Sequence, residues 1–297
     1  MKQISHLQHK DIDLNRWDQC ISESINQLTY AFSWYLNIVS PGWEALVAGD
    51  YEFVMPIPVK RKYHFPYVVQ PHFTQQLGVF SKNPVNETIL NQFIKKIPYY
   101  SYQLNLNKQN INSEIEVLPN YILNLNSAYT LIASKYSKNT QRNIEKAQKN
   151  SLIIDNQLST DDFIEFYKAS QKTYQPAQGD IIRKIIDAGI EKKIVNLYGI
   201  RSSDNELVAS LCILISSKRM TYLLPVSSTE GKKLSAMFLM IDKLIRQNAE
   251  KEIIFDFEGS QIDGIARFYK GFGAENQPYF MLKRFRPSYL IGRFTKQ

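Results

Sequence analysis

Apolar and polar positions along the chain fall into two series with the same order. In the first half, apolar or alternating runs over 43–47 and 51–59 flank Ala48-Gly49-Asp50, and the Gly-Asp turn predicts a hairpin. A third strand is predicted over 67–69, then a loop over 70–78. A helix over 85–97 follows, with Ile89, Leu90, Phe93 and Ile97 on one face. Tyr102, Leu104 and Leu106 alternate as the next strand. In the second half, runs over 194–201 and 207–215 flank a turn-rich connection, a third strand covers 220–225, and a loop spans 226–233. A helix over 234–248 turns Met237, Ile241, Leu244 and Ile245 inward, and a strand over 252–257 follows it. Hairpin, strand, loop, helix and strand therefore occur twice. Helices precede each series, over 14–26 and 33–39, then over 160–173 and 178–192. Ser159, Asp161 and Asp162 suit the start of the helix at Thr160, where acidic charge meets the positive helix end.

The end of the chain is the most specific segment. The strand over 252–257 runs into the acidic turn Asp256-Phe257-Glu258-Gly259-Ser260. A short helix carries Ile262, Ile265, Phe268 and Tyr269 at helical spacing. Gly271-Phe272-Gly273-Ala274 ends it, since glycine tolerates the left-handed backbone of a helix C-cap. A last strand is predicted over 278–285. This arrangement resembles the C-terminal end of a GNAT acyltransferase, and its wording is similar to the FemAB-like branch of that superfamily. Further segments carry the resemblance: GWEALV from Gly42, VMPIPVKRK from Val54, QPHFTQQLGVF from Gln70, YSKNTQRNIEKAQ from Tyr136, and FDFEGS with GIARFYKGFGA from Phe255. It implies an α/β fold with mixed sheets in two tandem GNAT-like domains. The N-terminal domain is expected over 1–135 and the C-terminal one over 136–297, opening with a helical connector.

The same resemblance implies where a co-substrate would sit. In a GNAT fold an acyl-CoA occupies the gap where two parallel strands splay, which directs attention to Leu223, Leu224 and Pro225 on the strand. The loop and helix start would wrap the pyrophosphate, through Gly231, Lys232, Lys233, Leu234 and Ser235. Read on their own, Gly231 permits close backbone approach, the two lysines bring charge to a phosphate, and Ser235 caps the helix or donates a hydrogen bond. The alternative is an ordinary lysine-rich loop before a helix. Candidate acids and bases are Asp256, Glu258, Tyr174, Tyr222 and Tyr269, because amine acylation needs a proton acceptor. Asp256 and Glu258, two apart on a strand, are read as sharing a face, where two carboxylates raise one pKa. The alternative for both is a turn or cap. Tyr269 is a proton donor to a leaving group or a packing residue.

Charge adds a partner. Thirty-six Lys and Arg against 28 Asp and Glu give a net charge of +8, which favours a polyanion or plain solubility. Lys135, Lys138, Arg142, Lys146 and Lys149 follow an i+3/i+4 rhythm along one helix face, a candidate groove for tRNA phosphates or a solvated connector. No apolar run approaches the roughly 20 residues that cross a bilayer, no secretory signal is read at the start, and the two cysteines are read as reduced, so a cytoplasmic protein is expected. His6 and His9 are read as lying near a mobile terminus, and His64 and His72 lack a partnered Cys or His at ligand spacing, so no metal is expected. The expected activity is N-acyl or aminoacyl transfer from a CoA thioester or aminoacyl-tRNA. The acceptor would be an amine of a small molecule or a peptidoglycan precursor. The alternative is a non-catalytic GNAT-fold protein binding RNA or another anionic ligand.

Overall fold

The structure, a computed structural model, describes residues 3–112, 115–171, 175–216 and 218–285. Its contacts divide the chain into two units, Met1–Leu118 with Pro278–Gln297, and Pro119–Gln277. This differs from the division at 135/136 read from the sequence, for a reason that lies in two strands described below.

The first unit opens with β1 (Ile4–Leu7), α1 (Leu14–Glu23), α2 (Ser33–Val39), β2 (Glu44–Ala48) and β3 (Phe53–Ile57). Then come β4 (Val59–Lys62), β5 (Phe65–Val69), β6 (Phe80–Ser81), α3 (Glu87–Lys96), β7 (Tyr102–Leu106) and β8 (Glu116–Leu118). β2 and β3 form the expected hairpin. The run to residue 59 is not one strand, however: Pro58, which lacks an amide hydrogen, separates β3 from β4, and the two strands lie in different sheets. β1, β2, β3 and β6 make one four-stranded sheet. Under it, Trp17 and Trp43 are fully buried with ring centroids 4.6 Å apart, and the Trp17 indole donates to the Ala31 carbonyl at 2.8 Å.

The second unit contains β9 (Tyr121–Asn124), α4 (Tyr129–Ala133), α5 (Lys138–Lys149), β10 (Ile153–Asp155), α6 (Thr160–Ser170) and α7 (Pro176–Glu191). β11 (Val195–Arg201), β12 (Leu207–Ile215), β13 (Arg219–Ser227), α8 (Thr229–Lys233), α9 (Ala236–Asn248), β14 (Ile254–Asp256), α10 (Asp263–Gly271) and β15 (Glu275–Asn276) follow. Seven strands form one mixed sheet in the order β10-β11-β12-β13-β14-β9-β15. The Ser159 hydroxyl caps α6 by accepting from the Asp162 amide, as its sequence requires. α6 and α7 pack together against β11–β13, while α5 and α9 pack together on the opposite face and α10 lies against α5 and β9. Met237, Met240, Ile241, Leu244 and Ile245 recur every three or four residues along α9 and are buried. Each contributes about 1.5–3 kcal/mol of apolar burial, which fixes this helix on the sheet.

Two strands depart from chain order. β9, from the middle of the chain, pairs antiparallel with β14. The last strand, β16 (Tyr279–Arg284), belongs to the first unit, where it lies between β7 and β8 in the order β4-β5-β7-β16-β8. Each unit's parallel strand, β7 or β14, is thus flanked by an antiparallel strand from the other half of the sequence. No helix among the described residues is long and apolar enough to cross a membrane.

Candidate active site

The site is built where β13 and β14 part. They run parallel only over Arg219↔Ile254, Met220↔Phe255 and Thr221↔Asp256. β13 continues to Ser227 with β12 as its partner, whereas β14 ends. Within β13 the register against β12 steps from Cys212↔Leu224 to Ile213↔Tyr222, so Leu223 is an extra, bulged residue at the mouth of the gap. A bulge re-aims backbone groups that a regular ladder would consume. Leu223 and Leu224 are buried and Pro225 is exposed. α9 follows β13 and returns to the start of β14, so its N-terminus sits at the carboxyl end of both strands. There the first amides of a helix have no intrahelical acceptor.

The expected phosphate loop has a different structure. Residues read as a loop form helix α8, capped by the Ser228 hydroxyl, which accepts from the Gly231 amide at 3.0 Å. The amides of Lys232, Leu234 and Ser235 donate to the carbonyls of Ser228, Glu230 and Lys232. Gly231 is buried because its α-carbon presses on the Val208 carbonyl, where no side chain fits. Its close approach is to a strand of its own unit. Lys232 and Lys233 are exposed, and Lys233 lies 3.5 Å from the Glu230 carboxylate. Leu234 is the C-cap of α8. Ser235 has a left-handed backbone (φ 59°) and makes no capping bond with its side chain; its hydroxyl donates to the Asn143 side chain at 2.7 Å. That bond ties the start of α9 to α5, whose exposed face carries Lys138, Arg142, Lys146 and Lys149, with Lys135 exposed in the turn before it.

Asp256 and Glu258 differ sharply. Asp256 is buried on β14 and pairs with the Arg219 guanidinium from β13. It also accepts from the Asn120 side chain at 3.1 Å and the Glu258 amide at 3.0 Å. Its oxygens are engaged by these three partners at the point where the strands separate. Glu258 lies beyond the strand with φ 60°, so the alternation expected of two strand residues does not apply. Its carbonyl accepts from the Tyr121 amide at 3.1 Å, which fixes the turn on β9. Neither Arg219 nor Asn120 was marked by its sequence surroundings; each acquires its partner only through strand order.

Tyr269, on α10, reaches this region. Its ring centroid is 5.0 Å from Phe257 and 6.0 Å from Tyr222, within a buried aromatic cluster. Burial, then the negative charges of Glu258 and Asp256, push its phenol well above the usual value, so it stays protonated at neutral pH. Burial does the same to Tyr222. Three sequence candidates, Asp256, Glu258 and Tyr269, therefore come together, whereas Tyr174 lies outside the described residues. At the start of α10, Ile262 is 64% and Ile265 39% exposed. The glycines at its end are closely packed or left-handed. Gly271 presses on the Thr140 hydroxyl at the start of α5, and the Ser137 amide donates to its carbonyl at 2.9 Å. Gly273 has φ 80°, which glycine accepts without strain. No group of His, Cys, Asp and Glu among the described residues is arranged to hold a metal ion.

Comparison with known proteins follows this geometry. Residues 134–271 match the model of the family described as "Acetyltransferase (GNAT) domain", so the second unit carries a GNAT domain. The chain is similar over 97% of its length to the crystal structure of FemX, covering 99% of that chain at 12% identity with a TM-score of 0.67. It is similar over 95% of its length to the C-terminal domain of a putative lysylphosphatidylglycerol synthetase from Agrobacterium fabrum, covering 94% of that chain at 10% identity with a TM-score of 0.59. A conserved protein from Bacteroides thetaiotaomicron is similar over 96% of this chain and 100% of its own, at 12% identity and a TM-score of 0.58. These likenesses establish a shared fold across both units. No curated protein matches the chain.

Proposed function

We propose that this chain, with a GNAT domain in its second unit, is an N-acyltransferase acting by direct attack in a ternary complex. The parting of β13 from β14 beside the bulge at Leu223 carries the reading. The acyl carbonyl lies in the gap, and backbone amides near Leu224 stabilise the oxyanion, worth roughly a few kcal/mol per donor. The acceptor amine attacks the carbonyl carbon, a C–N bond forms, and the C–S or C–O bond to the donor breaks. Glu258 takes the proton released by the amine, directly or through water. Tyr269 protonates the departing sulfur or oxygen and then recovers a proton from solvent. Asp256 positions Arg219 and the Glu258 turn.

The donor is an acyl-CoA or an aminoacyl-tRNA. α8 favours the second, because the amides of residues 231, 232, 234 and 235 are already engaged within α8 and its caps. The basic face of α5, tied to the start of α9 through Asn143, is a surface for RNA phosphates. The acceptor is an amine of a small molecule or a peptidoglycan precursor.

The test is product formation with acetyl-CoA and with aminoacyl-tRNA. Glu258→Gln and Tyr269→Phe each lower turnover about 10²- to 10⁴-fold with unfolding midpoints unchanged. Rates within twofold of the parent protein remove both residues from the mechanism. Salt-sensitive tRNA binding with no product from either donor would replace the transferase reading by that of a binding protein.

A further inference from the structure

The first unit carries a hairpin with exposed aromatic side chains at its tip. β4 and β5 pair through Lys62↔Phe65, joined by the two-residue turn Tyr63-His64. Both turn residues have positive φ, 49° and 67°. A turn of this kind favours Asn-Gly, and a tyrosine there is backbone strain without local return. The side chains gain little packing in exchange: Tyr63 is 82% exposed and Phe65 77%. Tyr100, two residues before the Tyr102 that pairs with Val68, lies at the same end of the sheet and is 78% exposed.

Charge accompanies the aromatics. Cross-strand partners share a face, so Lys62 and Phe65 lie on the same side as Lys60 and Tyr67. Lys60 and Arg61 are exposed. Between Glu52 and Glu114, Glu87 is the one carboxylate side chain in the sequence. Lysines on an edge strand such as β4 would suffice to block sheet-to-sheet association, but that function does not need exposed rings at the tip. Aromatic rings projecting from a cationic surface match the interface of an anionic bilayer, where rings sit at headgroup depth and Lys and Arg meet phosphate.

We propose that the β4–β5 hairpin docks the first unit on an anionic phospholipid surface, with Tyr63 and Phe65 entering the headgroup layer and Lys60 and Arg61 contacting lipid phosphates. The inference is independent of the transfer chemistry assigned to the second unit.

Flotation of the full chain with phosphatidylglycerol-containing vesicles and with phosphatidylcholine vesicles tests it. The protein floats with the first and not the second, and high salt weakens the association. Lys60→Gln with Arg61→Gln lowers the bound fraction about tenfold or more. Tyr63→Ser with Phe65→Ser lowers it at low salt while tRNA affinity is unchanged. Tyr63→Trp, which keeps an aromatic tip, shows a blue-shifted emission on vesicle addition. No flotation, flotation indifferent to the charge variant or to the serine variant, or no emission shift for Tyr63→Trp overturns the proposal. So does loss of tRNA binding in the charge variant without any vesicle binding by the parent protein, which would make the hairpin an RNA contact.

Discussion

The two units contain the same device and use it differently. In the first, β5 and β7 run parallel through Val68↔Tyr102 and Val69↔Gln103. In the second, β13 and β14 run parallel for three residues. Beyond that point the first unit is stitched shut. Leu77 bridges Leu106, its amide donating to the Asn105 carbonyl at 2.7 Å and its carbonyl accepting from the Asn107 amide at 2.9 Å. The Gln70 side chain accepts from the Asn105 amide at 2.9 Å, and the Asn105 side chain donates to the Gln75 carbonyl at 2.9 Å. A segment of the first unit's own chain therefore occupies the edge of β7 where a substrate would lie. In the second unit, β13 past Thr221 has β12 on one side and, among the described residues, no strand on the other. Repetition of the strand order does not repeat the opening.

The largest predicted effect concerns what holds the second unit's strands as they part. Arg219 and Asp256 are both largely buried, one on each strand. Asp256→Ala leaves the guanidinium without its partner and frees the Asn120 and Glu258 donors, a loss of about 3–5 kcal/mol. Urea midpoints read it directly. A loss near zero would mean that the ion pair does not set the parting. Next comes Gly231→Ala. A methyl group there meets the Val208 carbonyl, backbone that moves only with its strand, so α8 must lift at a cost of about 1–3 kcal/mol. Unaltered stability would show that α8 is free to move away from β12 and expose its amides to a phosphate.

Much of this was legible in the chain, because local pattern determines local elements. The basic i+3/i+4 rhythm falls on α5, Lys138–Lys149, with Thr140, Ile144 and Ala147 inward and its cations outward. β11, β12, β13 and β14 lie within about two residues of the runs read over 194–201, 207–215, 220–225 and 252–257, whereas the short β10 and β15 were not read. Legibility stopped where a residue's partner lies far along the sequence. β9 carries no mark that it will flank β14, nor β16 that it will join β7. So the committed state of Asp256, fixed by Asn120 and Arg219, could not be read from the acidic turn alone. α8 was missed for a local reason: in SSTEGKK the cap Ser228 is followed by a single turn, too short for apolar periodicity to register.

Alkali should probe the aromatic cluster that lines the second unit's site. Tyr222 and Tyr269 have folded values raised above the ordinary 10, chiefly by burial. Above pH 10 the unfolded chain releases these phenolic protons while the folded chain retains them. Stability is therefore intact below pH 10 and falls as pH rises, by about 1.4 kcal/mol per pH unit for each such tyrosine. Denaturant midpoints between pH 8 and about 11 measure the slope, and Tyr269→Phe should remove one tyrosine's share. An equal slope in that variant would mean that its phenol is solvated.

The smallest effect is the sharpest for the comparison itself. Gln70→Ala removes the acceptor of the Asn105 amide and loosens the stitch over β7, costing about 1 kcal/mol, typical of a single hydrogen bond. If the first unit's gap is filled because it binds no donor, transfer rates and donor affinities remain those of the parent protein. The same modest destabilisation accompanied by new donor binding, detected by calorimetry, would show that residues 70–77 are a displaceable plug. The second unit would then differ from the first in the occupant of its gap and not in its capacity to hold a substrate. Unchanged binding would leave the difference where the geometry puts it, in Leu77 pairing along an edge that β13 leaves open.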